Sequence, residues 1–486
     1  YEEDPLLVRL LAAYVPSLSP EEAERLTAFG ALAGGELRDL SQCSATPENL
    51  PYLRHWDGFH NRIDRVVLPV STLENLNIAQ GQYRLGASHG DPFVFTTLTY
   101  LFMQNGEAGV GCSMACTDGM VQILEALGDH PVHHRAVAQI RGSSPDRVYH
   151  GAQFVTEIQG GSDVPANILE ARPHQDGFTL HGTKWFCSNI NADYFLVTGR
   201  PVNAPRGGPG IALFLVPAYT DPEQKRRNGY TIDRLKEKLG TRELATAEVT
   251  FDGALGYPVG PLDMGLHNVV ERVLVTSRFY CLIVASAFLR GALRIAETYA
   301  EFREAFGSPI KDFPLVEHQL NQIRLTQRRM VAALFELKKM WLSAQQSSTG
   351  DDAYLDFRYL LSLCKPVFTR QATEAIHDCI MLLGGNGIEE HFSPLPRLWR
   401  DSIIMETWEG PHNVLFTQSL KDMVRFQVDP EAFVCRIAGP GQTALAEDLS
   451  RCLTEARDLS NTIPFANWAP SLVNAFADRV LAEHKL

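Results

Sequence analysis

Arg400-Asp-Ser-Ile-Ile-Met-Glu-Thr-Trp-Glu-Gly-Pro-His-Asn413 places one glutamate, Glu409, between a tryptophan and a glycine. A carboxylate beside a large aromatic and next to a flexible hinge can be a desolvated base. The same residue at a helix end in water would be inert. Just upstream, Leu382-Leu-Gly-Gly-Asn-Gly387 is a glycine-rich turn that lets backbone approach a ligand closely. Between the two, Ile388 to Trp399 reads as a short connection into another element.

The chain around this stretch has 486 residues, enough for two to four domains with an ample core. Its 45% hydrophobic and 21% charged content is ordinary for a globular enzyme. A formal charge of −13 disfavours binding to nucleic acid or anionic membrane through bulk charge. Nine cysteines without CxxC spacing suggest neither a disulfide framework nor a metal site, and a reducing, cytoplasmic compartment is expected. Cys112 and Cys116 share a helix face, which reads as packing. No apolar run is read as membrane-spanning, and no signal-peptide pattern is seen at the start.

Residues 1–150 read mainly as helices, with apolar residues at helical spacing around 6–15, 21–33, 93–105 and 119–127. Ser19-Pro-Glu-Glu carries a capping serine, a first-turn proline and acids at the positive end of one of them. The aromatic and charged stretch from Arg54 to Asp64 reads as a packed, hydrogen-bonded loop. From 151 to 260 the texture changes to short alternating segments. Phe178 to Ser188 looks like a hairpin turning at or near Gly182, and Tyr194–Thr198, Ile211–Val216 and Ala247–Phe251 read as further strands. Their close spacing predicts an antiparallel barrel or sandwich. Residues 261–430 return to long periodic runs, Val269 to Phe306, Leu315 to Leu342 and Ala353 to Leu383, the last kinked at Pro366, as in a helical bundle. A tail, 431–486, with seven acidic and five basic residues, adds more helix. The fold class is therefore α+β multi-domain: an N-terminal helical domain, a middle antiparallel β domain and a C-terminal helical bundle.

Two motifs lie inside the β region. Phe154-Val-Thr-Glu-Ile-Gln-Gly-Gly-Ser-Asp-Val164 can offer backbone N–H groups and a hydroxyl to a phosphate, or form a structural turn. Lys184-Trp-Phe-Cys-Ser-Asn189 follows it; Phe186 could stack on a flat cofactor and Ser188 could bond its edge, or Phe186 could be a buried strand residue.

Together with Lys238-Leu-Gly-Thr-Arg242, Val249-Thr-Phe-Asp-Gly253, Arg303-Glu-Ala-Phe-Gly-Ser-Pro-Ile310 and Val316-Glu-His-Gln319, these stretches stand in the order found in the acyl-CoA dehydrogenase family. The resemblance covers about residues 90 to 425, and KWFCS, KLGTR and PRLWRDSIIMETWEG look most like its AidB-like branch. It implies FAD as cofactor, an acyl-CoA substrate, an electron-transferring flavoprotein as acceptor and a homotetramer. By the resemblance, Val155 and Thr156 line the flavin pyrimidine, Gly161 and Ser162 hold the pyrophosphate, Phe186 covers the ring and Ser188 approaches N5. Arg303, Phe306 and Gln319 reach the FAD of a partner subunit, and Gly385 gives access to its adenosine end. Arg303 is also a plausible phosphate partner on its own chemistry, since a guanidinium fork suits phosphate oxygens.

Glu409 is then the base that takes the α-proton of the thioester. Some family members carry the base just before the residue matching Arg278, but Ser277 stands there. Several positions depart from the family pattern: Phe186 for a common tryptophan, Ala305 for a hydroxyl residue, Met381 for glutamine, and Pro411-His412-Asn413 for a threonine-led contact. An alternative function is that of an AidB-like flavoprotein of alkylation stress with DNA association and little dehydrogenase activity, which the acidic tail disfavours.

Overall fold

The computed structural model describes residues 1–221, 226–454 and 461–486. The predicted tail helices are Pro430–Ala438, Thr443–Thr454 and Thr462–Glu483; residues 455–460 lie outside the described residues. The chain groups into two compact units: 36–89 with 107–277, and 1–35 with 90–106 and 278–486.

The first of these is built on a seven-stranded sheet. Its strands are antiparallel except where Gly151–Phe154 and Glu170–His174 each run parallel to Tyr194–Pro201. The reading of Phe178 to Ser188 as a hairpin is corrected. Gly177–Ser188 is one continuous twelve-residue strand, and the reversal precedes it, where it pairs with Glu170–His174. Gly182 instead lies inside the strand at φ +134°, and a Cβ there would stand 3.2 Å from the Leu169 backbone. The glycine serves close backbone approach beside an irregular register, the other common meaning of a strand glycine. Phe154, Phe195, Phe214, Val249 and Phe251 fill the core on one side of this sheet. Ala108–Leu127 and Pro131–Arg141 contribute Met120, Leu124 and Ile140 to a second core with Leu196 and Leu215. The aromatic stretch 54–64 is also corrected from a loop to part of a hairpin, Tyr52–Trp56 against Arg62–Val67, in which the buried strand residue Asp64 bonds His55 and Arg62.

The second unit is helical. Ser19 closes a reciprocal capping box with Glu22 at the start of Pro20–Gly34. The long helices are Leu274–Phe302, Pro314–Ala344 and Asp352–Leu383, with Pro366 inside the last. The reading that no run is long and apolar enough to cross a membrane needs correction. Gly265–Phe302 contains an 18-residue window of mean hydropathy 1.6. Most of that window, 78%, is buried within the protein, as in the central helix of a bundle, so its apolarity is used in packing.

One buried ion pair secures the motif loop of the sheet unit. Lys184 is fully buried and donates to Glu157 Oε1 at 2.8 Å, to the Val155 carbonyl at 3.1 Å and to Thr198 Oγ1 at 3.0 Å. Glu157 also accepts from the Ile168 and Leu169 N–H groups. Burial would push the Glu157 carboxyl up, but Lys184 and the Ile168 N–H outweigh it and hold it below the usual carboxylate range. Removing one partner leaves the other charged and buried. Glu157→Gln or Lys184→Met alone should therefore cost about 3–5 kcal/mol of stability, and the double variant less than their sum. Denaturant unfolding of the three variants checks this; strictly additive losses would contradict it.

Candidate active site

In the sheet unit the motif residues converge on one end of Gly177–Ser188. The Trp185 N–H donates to the Thr156 carbonyl at 3.0 Å, so Val155 and Thr156 lie alongside Trp185 and Phe186. Lys184 reinforces this from below through the Val155 carbonyl. Gly161 folds back on the same loop: a Cβ there would stand 2.5 Å from Thr156 Oγ1. Gly161 and Ser162 are exposed, in the bend that follows the Glu157–Gly160 turn. Phe186 is half exposed although it sits mid-strand, so the buried-strand reading of this residue fails. Lys236 Nζ lies 4.5 Å from the Phe186 ring centroid. Ser188 Oγ and Thr246 Oγ1 are 3.1 Å apart on neighbouring strands. A tight loop presenting backbone and a hydroxyl beside an exposed aromatic edge suits a phosphate-bearing, flat-ringed cofactor. The residues fit FAD.

At the position offered as an alternative base, Ser277 is buried and bonded to Gln153 Nε2 at 2.9 Å. It has no carboxylate to contribute.

In the helical unit, Arg303 follows the end of Leu274–Phe302. Its side chain is exposed, with no hydrogen bond or ion pair among the described residues. Phe306 is entirely exposed at φ +54° and meets Phe313 edge-on at 6.3 Å. Gln319 is half-buried on the first turns of Pro314–Ala344. Gly385 is exposed in the turn Gly384–Ile388. Asn386 in that turn donates to the Tyr299 hydroxyl at 3.2 Å, which ties the turn to the last coils of Leu274–Phe302 near Arg303.

Glu409 stands in the tight link between Leu395–Thr407 and His412–Arg425. Its φ is +56°, a left-handed conformation that costs a non-glycine residue about 1–3 kcal/mol and persists only where surroundings enforce it. The surroundings are two cations. Arg278 Nε donates to the Glu409 carbonyl at 3.1 Å. Lys365, buried at 0% exposure, donates to the Glu406 carbonyl at 2.9 Å and the Gly410 carbonyl at 2.8 Å. Burial raises the Glu409 carboxyl to about 6, against the opposing pull of Arg278 and Lys365. Burial likewise lowers Lys365 to about 8, with Cys281 and Glu409 among the groups that resist. The arrangement is a carboxylate close to neutral pH in its proton affinity, fixed by its own backbone. It can take and return a proton.

Sequence reading missed Lys365 and the role of Arg278. A signal for Lys365 was available: it is the one charged residue in Leu360-Leu-Ser-Leu-Cys-Lys-Pro-Val-Phe368, an otherwise apolar run.

Comparisons with known proteins identify the domains that carry these motifs. Residues 152–254 match the acyl-CoA dehydrogenase middle domain, and residues 263–423 match the acyl-CoA dehydrogenase C-terminal domain. The chain is 30% identical over 437 residues to "Acyl-CoA dehydrogenase family member 11" of Caenorhabditis elegans, covering 87% of this chain and 70% of that one. It is 32% identical over 355 residues to "Putative acyl-CoA dehydrogenase AidB" of Escherichia coli, covering 70% of this chain and 63% of the relative, so it spans less than two thirds of that protein. The crystal structure of Caenorhabditis elegans ACDH-11 in complex with C11-CoA superposes with a TM-score of 0.83 at 26% identity, covering 100% of this chain and 87% of that one.

The raised Glu409 pKa has a consequence for stability. Its folded value of about 6 exceeds the 4.5 of an unstructured glutamate. The folded chain thus keeps this proton where the unfolded chain has lost it. The stability gained is complete below pH 4.5 and is lost as pH rises through 6, about 2 kcal/mol for a shift of this size. Glu409→Gln lacks that loss. Its stability relative to wild type should rise between pH 4.5 and pH 6.5 in denaturant unfolding; a constant difference would contradict the raised value.

Proposed function

Because the chain belongs to the acyl-CoA dehydrogenase family, in its AidB-like part, we propose that it is an FAD-dependent oxidoreductase that desaturates an acyl-CoA thioester between its α and β carbons. The observation that carries the proposal is Glu409: a carboxyl raised to about 6, in a strained turn pinned by Arg278 and Lys365. An acyl thioester α-proton is far less acidic than a carboxylic acid, so the base must be desolvated and the thioester oxygen must be stabilised as the proton leaves. Glu409 takes that proton onto its carboxylate, and by the family pattern its backbone N–H would donate to the thioester oxygen. FAD, when bound, supplies the acceptor for the hydride that leaves the β-carbon. Proton and hydride depart together in count, and a C=C bond forms.

Val155, Thr156, Gly161, Ser162, Phe186 and Ser188 would hold the FAD, with Phe186 laid against the ring system and Ser188 at its edge. The relative solved with C11-CoA supports an acyl thioester as substrate class. An electron-transferring flavoprotein would collect the electrons.

The proposed assembly is a homotetramer, in which Arg303, Phe306, Gln319 and Gly385 of one copy complete the FAD site of another. The exposed Arg303 guanidinium, without an ion pair among the described residues, and the exposed apolar side chains of Phe302, Phe306, Leu315 and Ile388 on the same unit support this, since exposed apolar surface suits a covering partner and a phosphate suits the charge.

Two measurements test the reading. Glu409→Gln preserves size and removes the proton acceptor. With a cognate acyl-CoA, anaerobic stopped-flow flavin bleaching should slow by about 10²-fold or more, with FAD content unchanged. Bleaching at the wild-type rate would overturn the base assignment. Arg303→Ala should weaken FAD retention by about 1.5–3 kcal/mol, one to two decades in affinity, while unfolding stays cooperative. Unchanged FAD affinity would return Arg303 to a solvated surface charge.

A further inference from the structure

Lys365 is a buried cation with no carboxylate within ion-pair distance among the described residues. Packing alone gives no reason for it. The neighbouring helix face is apolar, with Leu361, Cys364 and Phe368 all buried, and a methionine would fill the same space without desolvating a charge. The ammonium instead spends its protons on two backbone carbonyls, Glu406 at 2.9 Å and Gly410 at 2.8 Å. These flank Glu409 on both sides in sequence. The carbonyl of Glu409 itself is taken by Arg278 at 3.1 Å. Three carbonyls of one turn are therefore held by two cations from two other helices, Asp352–Leu383 and Leu274–Phe302. Helix C-termini leave carbonyls without intrahelical donors, and here a buried charge supplies what a glycine cap or water ordinarily would.

We propose that Lys365 is the positioning residue of Glu409, fixing the left-handed turn that aims the carboxylate and setting the field in which it gains and loses its proton. This rests on Glu409 acting as the base. The groups that share the field are Arg278 and Cys281 from Leu274–Phe302 and Glu406 from Leu395–Thr407. Arg370 and His412 face Glu406 at 3.5 and 3.6 Å. Of these, Lys365 and Arg278 are the cations that act on the Glu409 carboxylate directly. Removing the Lys365 charge leaves burial less opposed, so the carboxyl should hold its proton to higher pH.

The test compares Lys365→Met, which removes donors and charge, with Lys365→Gln, which keeps a donor and removes only the charge. In each FAD-loaded protein, without acyl-CoA, the Glu409 carboxyl band is followed by infrared difference titration and identified as the band that Glu409→Gln abolishes. In wild type its midpoint should lie at about 6. In both variants it should rise by about one pH unit. In Lys365→Met, flavin bleaching by acyl-CoA should also slow about tenfold or more at every pH, with part of that rate returned in Lys365→Gln. Retained FAD and cooperative unfolding establish that a variant is folded, and Lys365→Gln serves where Lys365→Met does not fold. An unmoved midpoint in a folded variant overturns the proposal. Wild-type bleaching in Glu409→Gln would overturn the base assignment instead and leaves the band positions unchanged, so the two failures are read separately.

Discussion

A lysine ammonium at 0% exposure has to find its oxygens inside the protein, and among the described residues that need is met at Lys184 and Lys365. Each lysine comes from a regular element, a strand in one case and a helix in the other, and each is bonded to the backbone of a motif-bearing loop. Lys184 holds the Val155 carbonyl and the Glu157 carboxylate, and so the start of the Thr156–Asp163 loop. Lys365 holds the carbonyls on either side of Glu409. A charge that cannot be hydrated fixes its acceptors more firmly than a surface pair could, because moving them leaves it unsolvated. The loops that present chemistry are thereby given the rigidity of the strand and helix behind them.

The two cases differ in what the lysine does to charge. Glu157 is paired directly with Lys184 at 2.8 Å and is held ionised, which makes it part of the scaffold. Glu409 is near Lys365 and Arg278, but Arg278 bonds its carbonyl and Lys365 bonds the carbonyls of Glu406 and Gly410, so its carboxylate is influenced without being bound. A carboxylate locked in an ion pair is a poor base, since its proton affinity falls with the pairing. One left desolvated beside cations at a small remove keeps a proton affinity near neutrality.

Much of this was readable from residue order. Helical periodicity located the long helices to within a few residues, and the spacing of TEIQGGSD, KWFCSN, LLGGNG and TWEG carried the family and the candidate site residues. The failures share one cause. Gly182 reads as a turn or as a close approach with equal justice, and the choice belongs to Leu169, which lies 13 residues away and packs against it. The apolar run in Gly265–Phe302 suits a span or a core helix alike, and its burial assigns it to packing. The Arg54–Asp64 stretch reads as a loop by its polarity, yet it forms a hairpin in which buried Asp64 bonds His55 across the strands and Arg62 on its own strand.

What the sequence determined by itself was the succession of elements, the family and the presence of one glutamate in a Trp-Glu-Gly link, since these rest on neighbours within a few residues of one another. What only the tertiary structure decided was the condition of that glutamate. Burial raises its proton affinity, while Arg278 and Lys365 oppose that rise and hold its turn from 131 and 45 residues away in the hydrogen bonds they make to Glu409 and Gly410. Proton affinity is set by distance through space and by the exclusion of water, and neither is a property of residue order.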